Sequence, residues 1–291
     1  MGPAAAVGAV AAVLMLSAPA GARTLDVRPG EDAIANALAR ASNGDTLRIH
    51  FGRYRESLEI TKRVSLVGAP GEQRPRIDGR CRTGETIAVR ANGVELRRLN
   101  VAGADEGFGV APSAVTFVGV ATGRASKLRI RDSCDAEYGI NVFNTGPVQI
   151  KGSRARGFSD AGFYVGGITA TPGGSIRVLD SDAIGNNRGV IVEDTEPGHV
   201  AVGRNLLARN RRPGHGPPTG IWLHNADGVR IFENAVKANG EYGVHLDPSS
   251  DGNRLLRNEA SGNPTNLLDE GSGNCGSGNR FGGSGNVLPP C

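Results

Sequence analysis

The chain has 291 residues, with 33 Lys and Arg against 29 Asp and Glu, a formal net charge of +4 and only 4% aromatic residues. A nucleic-acid-binding protein would carry denser basic clusters with interleaved aromatic side chains, so we expect no nucleic-acid partner. A mild positive charge is ordinary for a secreted protein, and it also suits an acidic partner such as a uronic-acid polymer or a teichoic-type surface. The 44 glycines are unusual for a helical or Rossmann-type protein and suggest a repeat architecture.

Residues 1–22 have the pattern of a signal peptide. They contain no charged side chain, carry an apolar run over residues 4–16 and end in an A-x-A sequence at residues 20–22. A membrane anchor is the alternative, but the apolar run is interrupted and shorter than the roughly 20 residues that a bilayer core requires. We therefore predict cleavage before Arg23 and a secreted, soluble domain over residues 23–291 without a membrane span.

The mature chain opens with a strand, a short apolar-striped helix over residues 31–41, the turn Asn43-Gly44-Asp45 and a second strand. A terminal repeat must cover the core that stacking leaves open at the end. The helix is therefore expected to cap the first repeat.

Glycine-led segments with alternating apolar residues recur through the middle of the chain. Their spacings of 23, 27, 31 and 23 residues suit one solenoid coil each, and their alternation predicts short strands with one buried face. The segments are GINVFN, GFYVGG, GVIVED, GIWLHN and GVHLDP, beginning at Gly139, Gly162, Gly189, Gly220 and Gly243.

A second strand recurs in each coil, followed three residues later by Ser or Asn. These strands are LRI at 128–130, VQI at 148–150, IRV at 176–178, VAV at 200–202, VRI at 229–231 and RLL at 254–256. The polar residues form one predicted ladder of Ser133, Ser153, Ser181, Asn205, Asn234 and Asn258, and a second of Asn210, Asn239 and Asn263. Stacked Ser and Asn side chains can bond the backbone of neighbouring coils.

With these repeats and the opening that runs through GDTLRIHFGRYRESLEI, the chain resembles the right-handed parallel β-helix repeat family of pectate lyase-like proteins. The resemblance covers the whole mature chain and implies an all-β solenoid of about nine coils. It does not select a chemistry, because the family includes pectate lyases, polygalacturonases, mannuronan epimerases and proteins without known activity. Gly214-His215-Gly216 matches a polygalacturonase tripeptide, and Leu246-Asp247-Pro248 matches part of an epimerase motif, but the accompanying motifs are missing.

Four cysteines, Cys81, Cys134, Cys275 and Cys291, are too widely spaced for a zinc site and predict two disulfides in an oxidising compartment. Three pairings exist. We favour Cys81 with Cys134 and Cys275 with Cys291, because these are nearest along the chain. The Gly/Asn/Ser-rich tail, residues 264–291, is then a last partial coil pinned as a cap.

Alternation sorts the glycine-led strands into two faces. The inward pairs are Ile140/Val142, Phe163/Val165, Val190/Val192, Ile221/Leu223 and Val244/Leu246. The outward columns are Asn141, Tyr164, Ile191, Trp222, His245 and, beside it, Phe143, Gly166, Glu193, His224, Asp247. The last three coils therefore gather Glu193, Trp222, His224, His245 and Asp247 in one outer patch.

This patch has the parts of a sugar site: an aromatic platform in Trp222 and acid or base groups in Glu193, His224, His245 and Asp247. The Cα atoms of Glu193 and Asp247 should lie about 9.6 Å apart, near the upper end of the ~6.5–9.5 Å that separates the carboxyl groups of inverting glycosidases. Alternatively, one of these groups abstracts the C5 proton of a uronic acid in a lyase or epimerase. The further expected substrate-binding residues are Tyr164, Asn225, His215 and Arg230.

Three other features carry weaker expectations. Arg129, Arg177, Arg230 and Arg254 are predicted to form one outward column, which grips a polyanion or is simply a solvated face. The insertion at residues 209–220, which contains His215, should overhang the patch. An acidic turn at Asp132, Asp135 and Glu137 leaves calcium open as an alternative, although we predict no metal or other cofactor.

Taken together, the sequence predicts a monomeric, secreted protein acting on a polysaccharide by lyase, epimerase or hydrolase chemistry. The alternative is a protein that binds glycans or a surface with the same face and catalyses nothing.

Overall fold

A computed structural model describes residues 21–105, 107, 111–168, 175–283 and 285–291. Within these ranges the chain is a right-handed parallel β-solenoid of about ten turns with one short helix. Residues 1–20, most of the predicted signal peptide, lie outside the described part. No helix among the described residues is both long and apolar enough to cross a bilayer.

Each coil adds one strand to each of three parallel sheets. The 11-stranded sheet contains β1 (Thr24–Val27), β2 (Thr46–Ile49), β5 (Ser65–Gly68), β8 (Val94–Arg97), β11 (Gly123–Ser126), β14 (Val148–Lys151), β17 (Ile176–Leu179), β20 (Val200–Gly203), β23 (Arg230–Phe232), β26 (Arg254–Leu256) and β29 (Cys275–Ser277). The ten-stranded sheet contains β3 (Arg53–Tyr54), β6 (Arg76–Asp78), β9 (Asn100–Ala102), β12 (Arg129–Arg131), β15 (Arg154–Arg156), β18 (Asp182–Ile184), β21 (Leu206–Ala208), β24 (Ala235–Lys237), β27 (Glu259–Ser261) and β30 (Arg280–Phe281). The nine-stranded sheet contains β4 (Leu58–Ile60), β7 (Glu85–Val89), β10 (Ser113–Val118), β13 (Tyr138–Phe143), β16 (Ala161–Ile168), β19 (Arg188–Thr195), β22 (Thr219–Ala226), β25 (Tyr242–Leu246) and β28 (Thr265–Asp269).

The core fills the inside of the solenoid with stacked aliphatic and aromatic side chains. All ten residues predicted to point inward from the glycine-led strands are fully buried. Burying each such side chain stabilises the fold by about 1.5–3 kcal/mol, so this alternation is the main determinant of the coil shape.

The predicted capping helix is α1 (Ala33–Arg40), which buries Ile34, Ala37 and Leu38 over the first coil. Its ends are capped from the next coil. Glu56 accepts hydrogen bonds from the backbone N–H groups of Ile34 (3.0 Å) and Ala35 (2.9 Å) at the N-terminus. Lys62 Nζ donates to the carbonyl of Leu38 at 3.0 Å at the other end, so both charges complement the helix dipole.

The two predicted ladders exist, with one correction. In the first ladder, the backbone N–H of each member donates to the Ser or Asn side chain of the member in the following coil. The members in order are Leu128, Ser153, Ser181, Asn205, Asn234, Asn258 and Asn279. Ser133 was wrongly assigned to this ladder. In its coil the ladder position is occupied by Leu128, and Ser133 lies exposed in a later turn. The second ladder begins one coil earlier than predicted, at Asn186, and continues through Asn210, Asn239 and Asn263.

Asn234 illustrates why the ladder matters for stability. Its Oδ1 accepts from the N–H and the Nδ2 of Asn205, both at 3.0 Å, and its Nδ2 donates to the carbonyl of Val202 at 3.0 Å. Asn234→Ala leaves these buried groups without partners, so we expect the free energy of unfolding to fall by about 2–4 kcal/mol. Urea titration would measure it. Exposed Asn36→Ala is the control and should change stability by less than about 0.5 kcal/mol; an equal loss in both variants would contradict this role.

Arg177, Arg230 and Arg254 form the predicted outward column, with Ala201 between the first two, but Arg129 was wrongly assigned to it. Residues 129–131 form β12 of the ten-stranded sheet, whereas Arg177, Arg230 and Arg254 lie on the 11-stranded sheet. The position of that column in the earlier coil is occupied by Arg124, which pairs with Gln149. Short apolar triplets occur in two strands of every coil, so the spacing alone did not distinguish them.

Both favoured disulfides are present. Cys81 is joined to Cys134 and Cys275 to Cys291, with Cα atoms 5.6 and 4.9 Å apart. The second bond holds the end of the chain beside the last coil, where Gly276 pairs with Pro290.

Candidate functional site

The candidate site lies on the outer face of the nine-stranded sheet, in the register that the alternation predicts. Asn141, Tyr164, Ile191, Trp222 and His245 are successive partners, and Phe143, Gly166, Glu193 and His224 form the adjoining column.

His224 is held between two carboxylates. Its Nδ1 is hydrogen-bonded to Asp247 Oδ2, and its Nε2 lies 3.8 Å from Glu193 Oε1. The imidazole is 42% exposed whereas the Asp247 side chain is 10% exposed. Because the buried carboxylate occupies Nδ1, the ring nitrogen left to meet a ligand is Nε2.

Asp247 is fixed from several directions. Its Oδ1 accepts from the hydroxyls of Ser250 (2.8 Å) and Ser249 (3.2 Å) and from the N–H of Asn225 (3.3 Å). Burial alone would raise the pKa of Asp247, but hydrogen bonds from Ser250, Asn225 and His224 outweigh it and hold that pKa below its ordinary value. The geometry therefore suits an ionised carboxylate that positions His224.

Glu193 is hydrogen-bonded to Tyr164, whose ring packs at a tilt against that of Tyr138. Tyr164 donates its hydroxyl to Glu193 Oε2 at 2.6 Å, and the rings of Tyr138 and Tyr164 have centroids 4.7 Å apart. Burial raises the pKa of Tyr164, and its hydrogen bond to the Glu193 carboxylate raises it further. The phenol is thus a fixed donor that holds the carboxylate toward His224.

A buried ion pair between Arg188 and Asp160 packs against the ring of Trp222. Arg188 Nη1 contacts Asp160 Oδ1, both side chains are at most 7% exposed, and Tyr138 donates to Asp160 Oδ2 at 3.0 Å. The guanidinium lies 4.3 Å from the centroid of Trp222, whose ring stacks on His224 at 5.0 Å. These contacts make one connected set around His224.

A groove of about 870 Å³ adjoins this set on the same sheet. Strands β4, β7, β10, β13 and β16 line it, and Tyr164 belongs to both the groove and the His224 cluster. Five stacked strands span about 19 Å, which is long enough for a polymer segment.

Not all predicted site residues meet. His245 Nε2 bonds Glu270 at 2.9 Å, away from His224. Asn225 Nδ2 binds Asp194 at 2.8 Å, and only its backbone reaches Asp247. Arg230 lies on a different sheet, and His215 is exposed in its loop. That loop packs on Asn187, whose Nδ2 donates to the carbonyl of Gly216 at 3.0 Å, so it covers the region of the buried ion pair.

Tyr138 and Arg188 were not predicted as site residues, because strict alternation points both side chains inward. The strand instead changes face at the glycine that follows each of them. A Cβ at Gly139 would lie 2.9 Å from Ala155 Cβ, and one at Gly189 would lie 3.2 Å from Leu207 Cβ, so these glycines face the core. The residue before each glycine therefore points outward. The available sequence signal was that each of these glycines is the second residue of its strand, which repeats from coil to coil within this chain.

Acidic residues at the predicted calcium turn have protein partners. Arg212 contacts both Asp132, at 2.8 Å, and Asp135.

The fold is a right-handed parallel β-helix. A family model described as periplasmic copper-binding protein (NosD) matches residues 84–288. The chain belongs to the NosD family.

Solved structures with the same fold share little sequence with the chain. A PL6 family alginate lyase, AlyGC, superposes with a TM-score of 0.64 at 14% identity, covering 89% of this chain but 40% of that one. An alginate lyase from Paenibacillus sp. str. FPU-7 has a TM-score of 0.47 at 14% identity, with 92% and 98% covered. The A-module of the Azotobacter vinelandii mannuronan C-5 epimerase AlgE6 has 0.46 at 15%, with 89% and 91% covered. No curated protein matches the chain.

Copper, which the family description names, is best held by imidazole, thiolate and thioether ligands. Within the described ranges, no group of three or more His, Cys, Asp or Glu side chains is arranged to hold a metal ion. All four cysteines are in disulfides. The described residues therefore do not fit a copper site.

Proposed function

We propose that this protein is an extracytoplasmic enzyme that acts on a polysaccharide by acid–base chemistry, with His224 as the group that transfers the proton. The observation that carries the proposal is the clamping of His224 between Asp247 and Glu193. A groove long enough for a polymer segment adjoins this cluster at Tyr164, which donates a hydrogen bond to Glu193. Two disulfides support a location in an oxidising compartment.

The roles follow from exposure and partners. Asp247 holds the proton on Nδ1 and stabilises the imidazolium that forms when Nε2 accepts a proton. Glu193, 28% exposed, is the second group within reach of a ligand, and Tyr164 fixes its direction. Trp222 carries the apolar surface against which a sugar ring can stack.

The spacing of these groups bears on the reaction. In an inverting glycosidase, two free carboxylates stand about 6.5–9.5 Å apart with substrate and water between them. Here Asp247 is committed to His224, Ser249 and Ser250, so it does not supply the second free carboxylate. The arrangement instead favours a single-sided transfer through His224, with Glu193 beside it.

Charge in the groove bears on the substrate. Among its described lining residues, Glu59 and Glu85 are opposed only by Arg90, which pairs with Glu85 at 2.6 Å. A polymer with a carboxylate on every residue would be repelled there, since like charges at close range cost free energy. A neutral polysaccharide fits this groove better than a polyuronate.

The test is a screen of the purified protein against neutral and acidic polysaccharides. New reducing ends and absorbance of unsaturated uronates report hydrolase and lyase products, and ring-proton exchange from solvent reports epimerisation. We expect activity that Glu193→Gln reduces and that Glu233→Gln, a carboxylate paired with Arg257 on another face, leaves unchanged. Retained glycan binding with no turnover on any polymer would establish the non-catalytic alternative.

A further inference from the structure

A second surface with no function proposed so far lies on the ten-stranded sheet. It is away from the His224 cluster and from the groove that adjoins that cluster, called the His224 groove below. Strands β12 and β15 place four arginines in a square, since Arg129 is the partner of Arg154 and Arg131 is the partner of Arg156. Neighbouring strands are about 4.8 Å apart and alternate residues about 6.6 Å apart. Like charges directly opposite each other on a sheet are destabilising, so this square costs stability unless a ligand neutralises it.

Few acids oppose these charges. Among the described residues, no carboxylate lies within ion-pair distance of Arg129, Arg131 or Arg156, whereas Arg154 binds Asp182 at 2.5 Å. Asp132, the nearest acidic neighbour in sequence, is engaged by Arg212 at 2.8 Å. The positive charge of the square is therefore mostly uncompensated.

The basic surface continues toward the N-terminus. Two adjoining grooves of about 670 and 530 Å³ share Arg76, Asn100 and Arg129 as lining residues. Arg74 and Arg98 line the second groove. Burial lowers the pKa of Arg74, and the nearby positive charges of Arg129 and Arg98 lower it further, as expected for a region of positive potential.

Asn100 and Ala102 stand between the flanking arginine strands. On the coil before them, Arg76 is held by Asp78 at 3.1 Å, and on the coil after them stand Arg129 and Arg131. The short side chains of β9 thus leave a depression between β6 and β12, and the arginines of β12 border it on one side. From Arg76 to Arg154 the register covers three coil steps, about 14 Å, which exceeds a single phosphate or carboxylate group.

We propose that this surface, made by Arg76, Arg98, Arg129, Arg131, Arg154 and Arg156, binds an anionic polysaccharide and anchors the protein to it. Arginine binds carboxylate and sulfate oxygens through two parallel hydrogen bonds, and a repeat of arginines along one direction matches a chain with a repeated charge. The site is separate from the His224 groove, whose balance of charge is acidic.

The surface is less suited to other polyanions. Single-stranded nucleic acid is held by successive aromatic side chains, and Phe51 is the aromatic residue lining the described part of these grooves. An anionic membrane is held by basic groups together with a broad apolar face, which this arginine-lined surface does not offer.

The test measures binding of the full-length mature protein to soluble polygalacturonate by fluorescence anisotropy. We expect Arg131→Gln/Arg156→Gln to weaken binding by about tenfold or more, because two charge-assisted contacts are lost. Arg40→Gln/Arg63→Gln is the matched control, since it removes the same charge from two exposed arginines that line neither groove. The control should change the affinity by less than about twofold.

Other outcomes overturn the proposal. These are an equal loss in the control, no binding of polygalacturonate by the wild type, or tighter binding of a duplex DNA or of phosphatidylglycerol vesicles at the same ionic strength. Thermal unfolding of each variant separates loss of binding from loss of fold. Turnover at the His224 groove is measured with a neutral polymer, so failure of that activity and failure of this binding are distinguishable.

Discussion

A His224→Gln variant is expected to lose roughly 10²–10⁴ in kcat on the substrate that the screen identifies, because glutamine keeps polarity but cannot carry the proton. KM should change little, since the groove residues that bind the polymer are untouched. Steady-state kinetics of the purified variant measure both constants.

His245→Gln is the comparison that tests the geometry. Its ring bonds Glu270 and lies 4.7 Å from the ring of Tyr242, so it should retain turnover within a few-fold of the wild type. Equal losses in the two histidine variants would contradict the assignment of proton transfer to His224.

Asp247→Asn should lower kcat through the same ring, because the amide no longer stabilises an imidazolium and can select the other tautomer. It should also alter the dependence of stability on pH. The folded-state pKa of Asp247 is lowered from 3.8, so the stability that its ionised form contributes is present above the unfolded pKa and is lost as the pH falls through the folded pKa. The difference in melting temperature between wild type and variant should therefore be full at neutral pH and shrink in acid. A difference independent of pH would contradict it.

Replacing Arg188 by Met is expected to destabilise the fold by about 3–5 kcal/mol, because it leaves the buried Asp160 carboxylate without its cation. Both partners are nearly inaccessible, and the remaining side-chain hydrogen bond to Asp160 comes from Tyr138. Urea unfolding with tryptophan fluorescence measures the loss, and Trp222 reports it directly since it is the chain's single Trp.

Two further variants test whether the buried charge causes the loss of stability. Arg154→Gln breaks the exposed pair with Asp182 and should cost no more than about 1 kcal/mol. The double variant Asp160→Asn/Arg188→Met removes both charges, so it should be more stable than Arg188→Met alone. If the double variant is the less stable of the two, the buried charge is not the cause.

The two faces of the glycine-led strands were predictable because alternation acts within each strand. The inward residues, the column that contains Glu193 and His224, and both polar ladders follow from periods that repeat along the chain. The errors occur where local pattern has two solutions: LRI at 128–130 and VQI at 148–150 look alike but belong to different sheets. Because the coils vary in length, the spacing between two similar segments does not show whether they belong to the same sheet.

The sequence by itself determined the solenoid, its buried face and the disposition of Glu193, Trp222 and His224, because side-chain direction and coil stacking are properties of short segments. Only the tertiary structure decided that His245 turns to Glu270 and that Tyr138 and Arg188 point outward. It also brought Arg129 and Arg131 of β12 beside Arg154 and Arg156 of β15. These outcomes depend on turns at individual glycines and on contacts between coils 20 to 30 residues apart, where several partners compete and packing selects one.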